Sequence, residues 1–575
     1  PAALARWKLS GSVGAKLDPC AALQIHVDLA ANGEAEVLFL FGQGDNRTHT
    51  KEIIKKWQQA QTLSDDWKKM RTRWSRLFNS LQVRTPEPSF DLMMNQWLLY
   101  QTLVCRIFAR CGLYQSSGAY GFRDQLQDVM ALIYAEPAIA RKHIVESAAH
   151  QFDLGDVLHW WHPPSGRGVR THFSDDLLWL PYVTAYYVDV TGDKTIFDEK
   201  IPFLTGEPLG YREENRYTLY ESTSQTYSLF EHCKRALNRG INSTGEHGLL
   251  LIGAGDWNDG MDRVGVRGRG ESIWLSWFAI AVIESFTALH QLWPEKLSVD
   301  IWRNKAKELT LAIEEHGWDG KWYRRAYDDE GHPWGSSGCQ ECRIDSIAQS
   351  WATLSGAADP ERAAQALHSA QGELVDEKNN VVRLLSPPFD ATMRDPGYIK
   401  AYPPGIRENG GQYTHAAVWL VWALTRQGDG DGAMHLFRML NPIEHSMNKK
   451  SMETYKIEPY VIAADIYSVA PHAGRGGWSW YTGSSAWAYR LGIEAILGIN
   501  FKAKHLSIEP CIPKCWHGYS ATLRRDNGVI ELCVEDSQGV GHGVVEITVN
   551  GKTIIANEIP LPINDEVLNV VVKLG

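Results

Sequence analysis

A mainly α-helical toroid with a short β segment before it and a β-rich domain after it is predicted for this 575-residue chain. Three observations predict it. About a dozen amphipathic stretches between residues 86 and 497 repeat apolar side chains at helical spacing. The connections between them are long and rich in Gly, Pro and His, which places function on the loop side of a helical assembly. Before and after this block the pattern changes to strict alternation, the period of a half-buried strand.

In chain order, residues 1–48 predict a β-hairpin, the remnant of a β-sandwich. LQIHVDLA and AEVLFLFG alternate around an Ala-Asn-Gly-Glu turn. Residues 49–85 read as a helical linker, with Trp57, Trp67, Trp74 and Leu77 recurring at helical intervals. The catalytic-size domain, 86–497, takes helices at 90–109, 126–134, 138–152, 175–191, 222–238, 271–292, 301–316, 345–354, 414–427, 431–440, 454–467 and 484–497. Long loops fall at 160–173, 203–217, 263–270, 326–343 and 385–413. No repeat of solenoid length is visible. Residues 498–575 predict an antiparallel β-sandwich: HLSIEPCIP, YSATLRR, GVIELCVED, GVVEITVNG and EVLNVVVKL alternate between turn residues.

Composition narrows the function classes. At 64.7 kDa the chain exceeds one ordinary core. A formal net charge of -10 leaves no basic excess to meet phosphates of nucleic acid. The 23 tryptophans are more than packing needs, and indole faces suit pyranose rings. The nine cysteines are scattered; Cys339 and Cys342 make a single CxxC with no second pair at zinc spacing, so free thiols are expected. With no leader pattern and no run approaching a membrane span, a cytoplasmic protein without a membrane partner is expected.

The chemistry concentrates in 251–262, LIGAGDWNDGMD. A carboxyl beside an indole, screened from water, keeps its proton near neutral pH and can protonate a glycosidic oxygen. Four further segments are dense in polar groups: YGFRDQLQD (120–128), RENGGQYTH (407–415), KIEPY (456–460) and GRGGWSWYTGSSAWAY (474–489).

Taken together, FRDQLQD, GDWNDG, ENGGQYTH, EPY and GGWSWYTGS resemble, in order and spacing, the inverting β-glycoside phosphorylases, a family that includes cellobiose and chitobiose phosphorylases. GVRTHFSDDLLWLPY, RIDSIAQSW and DPGYIKAYPPGIRENGG are most similar to the phosphorylase-type domain of cyclic β-1,2-glucan synthases. The resemblance implies an (α/α)6 barrel between β-domains. It implies reversible phosphorolysis of a β-linked glucoside (a disaccharide or short β-glucan), with inversion, to α-D-glucose 1-phosphate. By the same resemblance Asp259 is the general acid, and Trp257, Asp124, Arg123 and Glu408 meet the sugar. His415, Thr482, Gly483 and Arg110 hold phosphate, with His415 and Arg110 as charged donors. Phosphate is a co-substrate; no metal or organic cofactor is implied, and a homodimer is expected by analogy. The compact SSGAYGFRD departs from cellobiose phosphorylases, so contacts around 118–120 do not transfer. The linkage stays open among β-1,2, β-1,3 and β-1,4, with the synthase-like texture favouring β-1,2. Two alternatives stand beside this reading: an inverting β-glucan hydrolase or transglycosylase in which Glu408 or another loop carboxylate activates water, and a catalytically silent glucan-binding module.

Overall fold

The computed structural model describes residues 6–16, 20–108, 118–163, 165–210, 213–291, 299–525 and 527–575. The chain divides into two compact units, Pro1–Ser75 and Arg76–Gly575.

In the first unit the expected hairpin is not formed. Its turn closes where predicted: Asn32 takes φ 61° and the Gly33 N–H donates to the Ala30 carbonyl at 2.9 Å. No strand flanks that turn among the described residues. Leu23, Ile25, Val27 and Leu29 alternate as read, yet all four are exposed. Two strands bury no face by themselves, so the apolar gain that would hold the ladder is missing. Helix Arg47–Trp57 starts where Asn46 accepts from the His49 N–H (3.0 Å), and Ala60–Phe78 follows.

The second unit is built on six helices among the described residues: α1 (Phe122–Met130), α2 (Trp179–Thr191), α3 (Ile273–Thr287), α4 (Ser346–Leu354), α5 (Thr414–Arg426) and α6 (Ser484–Arg490). Each touches the next, and α6 touches α1, so the contacts close into a cycle. Further helices back them. Pro137–Ala148 lies on α1 and α2, Leu229–Asn242 on α2 and α3, and Val299–Ala312 on α3. Pro360–Leu374 lies on α4 and α5, Gly430–Leu440 on α5, and a mixed α/π run at 88–108 on α6 and α1.

The sequences fit these places. In α3, IWLSWFAIAVIESFT, every residue but Glu284 and Ser285 is buried, so the helix is apolar almost all round, as an enclosed helix must be. Contrary to the expectation that no run reaches membrane length, Ile273–His290 qualifies by length and composition, with mean hydropathy 1.4; it is 72% buried inside this unit. Trp274, Trp351 and Trp419, from α3, α4 and α5, are fully buried, with Trp351 edge-on to Trp419 at 5.2 Å. Much of the tryptophan excess is therefore core.

Two expected helices are displaced by most of their length or replaced in part by a strand, and one helix was not expected. The first half of 222–238 is a strand, Glu221–Ser228, paired with Lys200–Thr205; the helix begins at Leu229, where Ser228 Oγ accepts from the Glu231 N–H at 3.2 Å. The helix expected at 454–467 lies earlier, Lys449–Tyr455, and stops at Lys456 in the left-handed region (φ 60°). Pro360–Leu374 is a helix whose buried face includes Ala363, Ala366 and Ala370, a stripe too small to stand out as apolar periodicity.

The C-terminal region is not a purely antiparallel sandwich. Its main sheet has six strands: β1 (Leu81–Arg84), β2 (Gly518–Arg525), β3 (Gly528–Glu535), β4 (Val544–Val549), β5 (Lys552–Ile554) and β6 (Val567–Leu574), in the order β1-β2-β3-β6-β4-β5. β3 and β6 run parallel, because the intervening β4–β5 hairpin acts as the crossover that returns the chain in the same direction. β1 joins from before the helices, pairing antiparallel with β2. A separate three-stranded sheet comprises Ile499–Phe501, His505–Ile508 and Ile559–Pro560.

Candidate active site

Where α1, α5 and α6 begin, a cavity of about 440 Å³ opens. Eight of the nine residues singled out from the sequence line it: Arg123, Asp124, Trp257, Asp259, Glu408, His415, Thr482 and Gly483. The ninth, Arg110, lies outside the described residues. All eight come from the first turn of an inner helix or from a connecting loop, so the helices fix them and the loops supply the chemistry.

The turn bearing Asp259 is anchored from below. Asp256 is fully buried, accepting from Arg325 NH1 (2.7 Å) and NH2 (2.5 Å) and from Ser272 Oγ (2.7 Å). Ser272 also caps α3, accepting from the Leu275 N–H at 3.0 Å. Arg325 Nε lies 3.3 Å from Asp345, the N-cap of α4. One guanidinium thus ties the starts of two inner helices to the turn. Beyond Asp259, Met261 packs with Ile252, Val264 and Ile399 in an apolar cluster.

Arg123 reaches across the same turn. It donates through NH1 to Asp175 Oδ1 (2.6 Å) and the Asp256 carbonyl (3.0 Å), and through NH2 to the Trp257 carbonyl (3.1 Å) and Asp259 Oδ1. His159 completes the surroundings, with Nδ1 2.8 Å from Asp176 Oδ2 and Nε2 3.7 Å from Asp259 Oδ2. Burial holds the Asp259 carboxyl above its usual range, against the pull of Arg123 and His159. Burial opposes charge on His159, but Asp176, then Asp259, raise the imidazole to about 9.

The sign of that shift gives a stability test. Between its ordinary 6.5 and about 9 the folded protein keeps a proton on His159 that the unfolded chain releases. The stabilisation is complete below pH 6.5 and is lost as pH rises through 9. Unfolding midpoints measured across that interval fall more steeply in the parent protein than in His159→Gln; parallel slopes would remove His159 from this role.

The other end of the cavity gathers a hydroxyl, a glycine, an imidazole and a guanidinium. The Thr482 hydroxyl accepts from the Ser484 N–H at 3.1 Å, which orients it at the start of α6. A Cβ on Gly483 would sit 3.5 Å from His415 Nδ1 and 3.7 Å from Asp128 Oδ1, so the glycine leaves that space open. His415 is buried, and its Nε2 has no hydrogen-bond partner among the described residues. Burial pushes His415 down to about 3, Asp124 opposing and Arg106 and Arg123 adding. The ring is therefore neutral here, without the charge expected from the sequence. Among the described residues the cation at this end is Arg106, over the Tyr481 ring (4.1 Å to its centroid) and held by Asp128 (2.7 Å) and Asp124 (3.1 Å). Trp257 forms the wall between the two ends, edge-on to Tyr413 (5.4 Å) and His415 (5.3 Å). Among the described residues no group of three His, Cys, Asp or Glu side chains is placed to hold a metal ion.

Residues 73–498 match the glycosyl hydrolase 94 superfamily catalytic domain, and residues 1–60 match the glycosyl hydrolase 94 supersandwich domain. The chain belongs to the glycosyl hydrolase 94 superfamily. Within it, the chain is 45% identical over 551 residues to the cyclic beta-(1,2)-glucan synthase NdvB of Rhizobium meliloti, covering 96% of this chain but 19% of the synthase. It is 28% identical to the N,N'-diacetylchitobiose phosphorylase of Vibrio proteolyticus, over 100% of this chain and 72% of that enzyme. Among solved structures it is similar in fold to a GH78 family rhamnosidase of Bacillus sp. GL1, with TM-score 0.52 and 14% identity over 86% of this chain and 44% of that one.

Sequence reasoning missed several residues of this glycosyl hydrolase 94 site. Arg106 sits in the run TLVCRIF, where a lone cation reads as an ordinary ion-pair partner. His159 precedes the loop at 160–173 in a stretch without a motif, and Asp175–Asp176 lie within GVRTHFSDDLLWLPY, which carries only the family resemblance. Arg407 adopts φ 51°, a left-handed conformation costing roughly 1 kcal/mol for a non-glycine residue. Its N–H donates to Asp465 Oδ2 (3.2 Å), and its guanidinium grips Glu408 Oε2 (3.2 Å) while lying 4.9 Å from the Trp478 ring centroid. The ENGG turn is strained so that this pair can face the cavity.

Proposed function

We propose that this chain is an inverting β-glucoside phosphorylase, its closed cycle of backed helices forming an (α/α)6 barrel. A phosphate oxygen bonds to C1 of the β-linked glucosyl unit as the C1–O bond to the leaving group breaks. The Asp259 proton passes to the departing oxygen, and α-D-glucose 1-phosphate results. Such a displacement needs one acid and a held anion, with no base to activate water.

The observation that carries this reading is the buried, unpartnered Nε2 of His415, set with Arg106, Thr482 and Gly483 in the same cavity as Asp259. A buried polar nitrogen left without a partner costs stability, and with its hydrogen on Nε2 the ring would meet an anion oxygen there. The hydrolase reading is less favoured because Glu408, its candidate base, is engaged by Arg407. The similarity to a synthase named for β-1,2-glucan supports β-1,2-glucosides as substrates.

Cleavage of sophorose with and without inorganic phosphate, followed by phosphorus NMR, tests the proposal. Turnover is expected only with phosphate, the phosphorus signal moving to an α-glycosyl phosphate. Equal cleavage in phosphate-free buffer would establish a hydrolase instead.

A further inference from the structure

At the mouth of the cavity a small antiparallel sheet carries an aromatic surface that the phosphorolytic step does not use. Its strands, in order, are Tyr120–Gly121, Leu158–Trp161, Arg167–Thr171 and Asn215–Leu219. The inner edge leads directly into Asp124; the outer strand carries Tyr217. Along a regular strand consecutive side chains point to opposite faces, so His159 and Trp160 would not both meet one cavity. Here the register shifts between Leu158 and Trp160, a β-bulge of the kind that re-aims side chains, and both residues line the cavity.

Past the bulge the register is regular. Trp160 pairs with Val169, and Val169 with Tyr217, so the three occupy one row on one face. The Trp160 and Tyr217 rings meet above Val169, their centroids 5.4 Å apart. Val169 is buried, whereas Tyr217 is 46% exposed. Tyr217 is held from behind: its hydroxyl lies 2.8 Å from His162 Nδ1. The result is a fixed apolar platform that begins inside the cavity and ends in solvent.

Its direction follows from the chemistry proposed above. In an inverting displacement the anion and the leaving group lie on opposite faces of C1. The leaving sugar therefore lies on the Asp259 side, where His159 adjoins the acid and Trp160 follows it. We infer that the Trp160–Tyr217 row is a distal acceptor subsite, on which glucosyl residues beyond the first of a β-glucan chain stack, giving the enzyme a preference for oligomeric over monomeric acceptors. This rests on the phosphorylase reading for its direction only; sugar binding to the platform is measurable without turnover.

Two measurements test it on the full chain. In synthesis from α-D-glucose 1-phosphate, KM is compared for glucose, sophorose and the β-1,2 trisaccharide as acceptors. Independently, quenching of tryptophan fluorescence reports binding of the same sugars without phosphate. The trisaccharide is expected to bind about tenfold more tightly than glucose, the worth of one good ring contact. Tyr217→Ala is expected to erase most of that ratio through KM rather than kcat, and Tyr217→Phe, which keeps the ring, to restore it. Acceptor affinity independent of length in the parent protein overturns the inference. So does Tyr217→Phe failing as badly as Tyr217→Ala, or Tyr217→Ala changing the mass in light scattering while sparing sugar binding, which would make the platform a contact between copies. Length-dependent binding without any turnover would refute the phosphorylase reading and leave the subsite standing.

Discussion

Asp259→Asn lowers phosphorolysis of unactivated β-glucosides by roughly 10²- to 10⁴-fold, the usual worth of a positioned general acid. The amide keeps the shape of the side chain and can still meet Arg123, so sugar affinity stays near that of the parent protein. What it cannot do is release a proton to the departing oxygen. A nitrophenyl glucoside, whose leaving group needs no proton, separates this role from a structural one. Its cleavage falls far less than that of sophorose in the same variant. Equal losses on both substrates would sink the acid assignment, as would unchanged turnover on sophorose.

Arg325→Met destabilises the fold by about 3–5 kcal/mol, the cost of stranding buried carboxylates without their cation. Arg325, Asp256 and Asp345 are all fully buried, and the methionine would fill much of the space while offering nothing to either acid. Burial already raises Asp345 to about 6 with Arg325 present. Removing Arg325 raises that carboxyl further, so the variant keeps losing stability as pH rises past 6, where the parent's loss has levelled off. Chemical unfolding at two pH values measures it. The second variant Arg325→Met/Asp256→Asn recovers part of the loss, since one stranded charge is gone. A change below about 1 kcal/mol in the single variant would contradict the network as described.

The site was more legible in the sequence than the boundaries of the fold, for physical reasons. The segments carrying Asp124, Glu408, His415, Thr482 and Gly483 are marked by their polar density, and Asp259 by the indole beside it, whereas the individual residues and their roles follow from the family resemblance. Their supports did not stand out. Arg325 stands in unremarkable surroundings, and Asp345 lies in the quoted RIDSIAQSW with nothing there to mark its partner; only the folded chain brings the two to Asp256. The helix at 360–374 escaped notice because alanine buries little area per residue and leaves a faint period. The strand at 221–228, ESTSQTYS, adjoins a true helix without a break in the sequence, and only its Thr and Tyr residues favour a half-exposed ribbon. The alternation in 23–29 was read correctly as pattern, yet pattern without a surface to cover does not make a strand.

Strand β1 carries a practical consequence for anyone trimming the protein. Leu81–Arg84 lies more than 400 positions from Gly518–Arg525 yet supplies its whole outer ladder, from Leu81 opposite Leu523 to Arg84 opposite Ser520. A fragment begun after Arg84, at what looks like the natural start of the helical body, would turn β2 into a bare edge. Its unmet N–H and C=O groups would then invite another molecule to pair there.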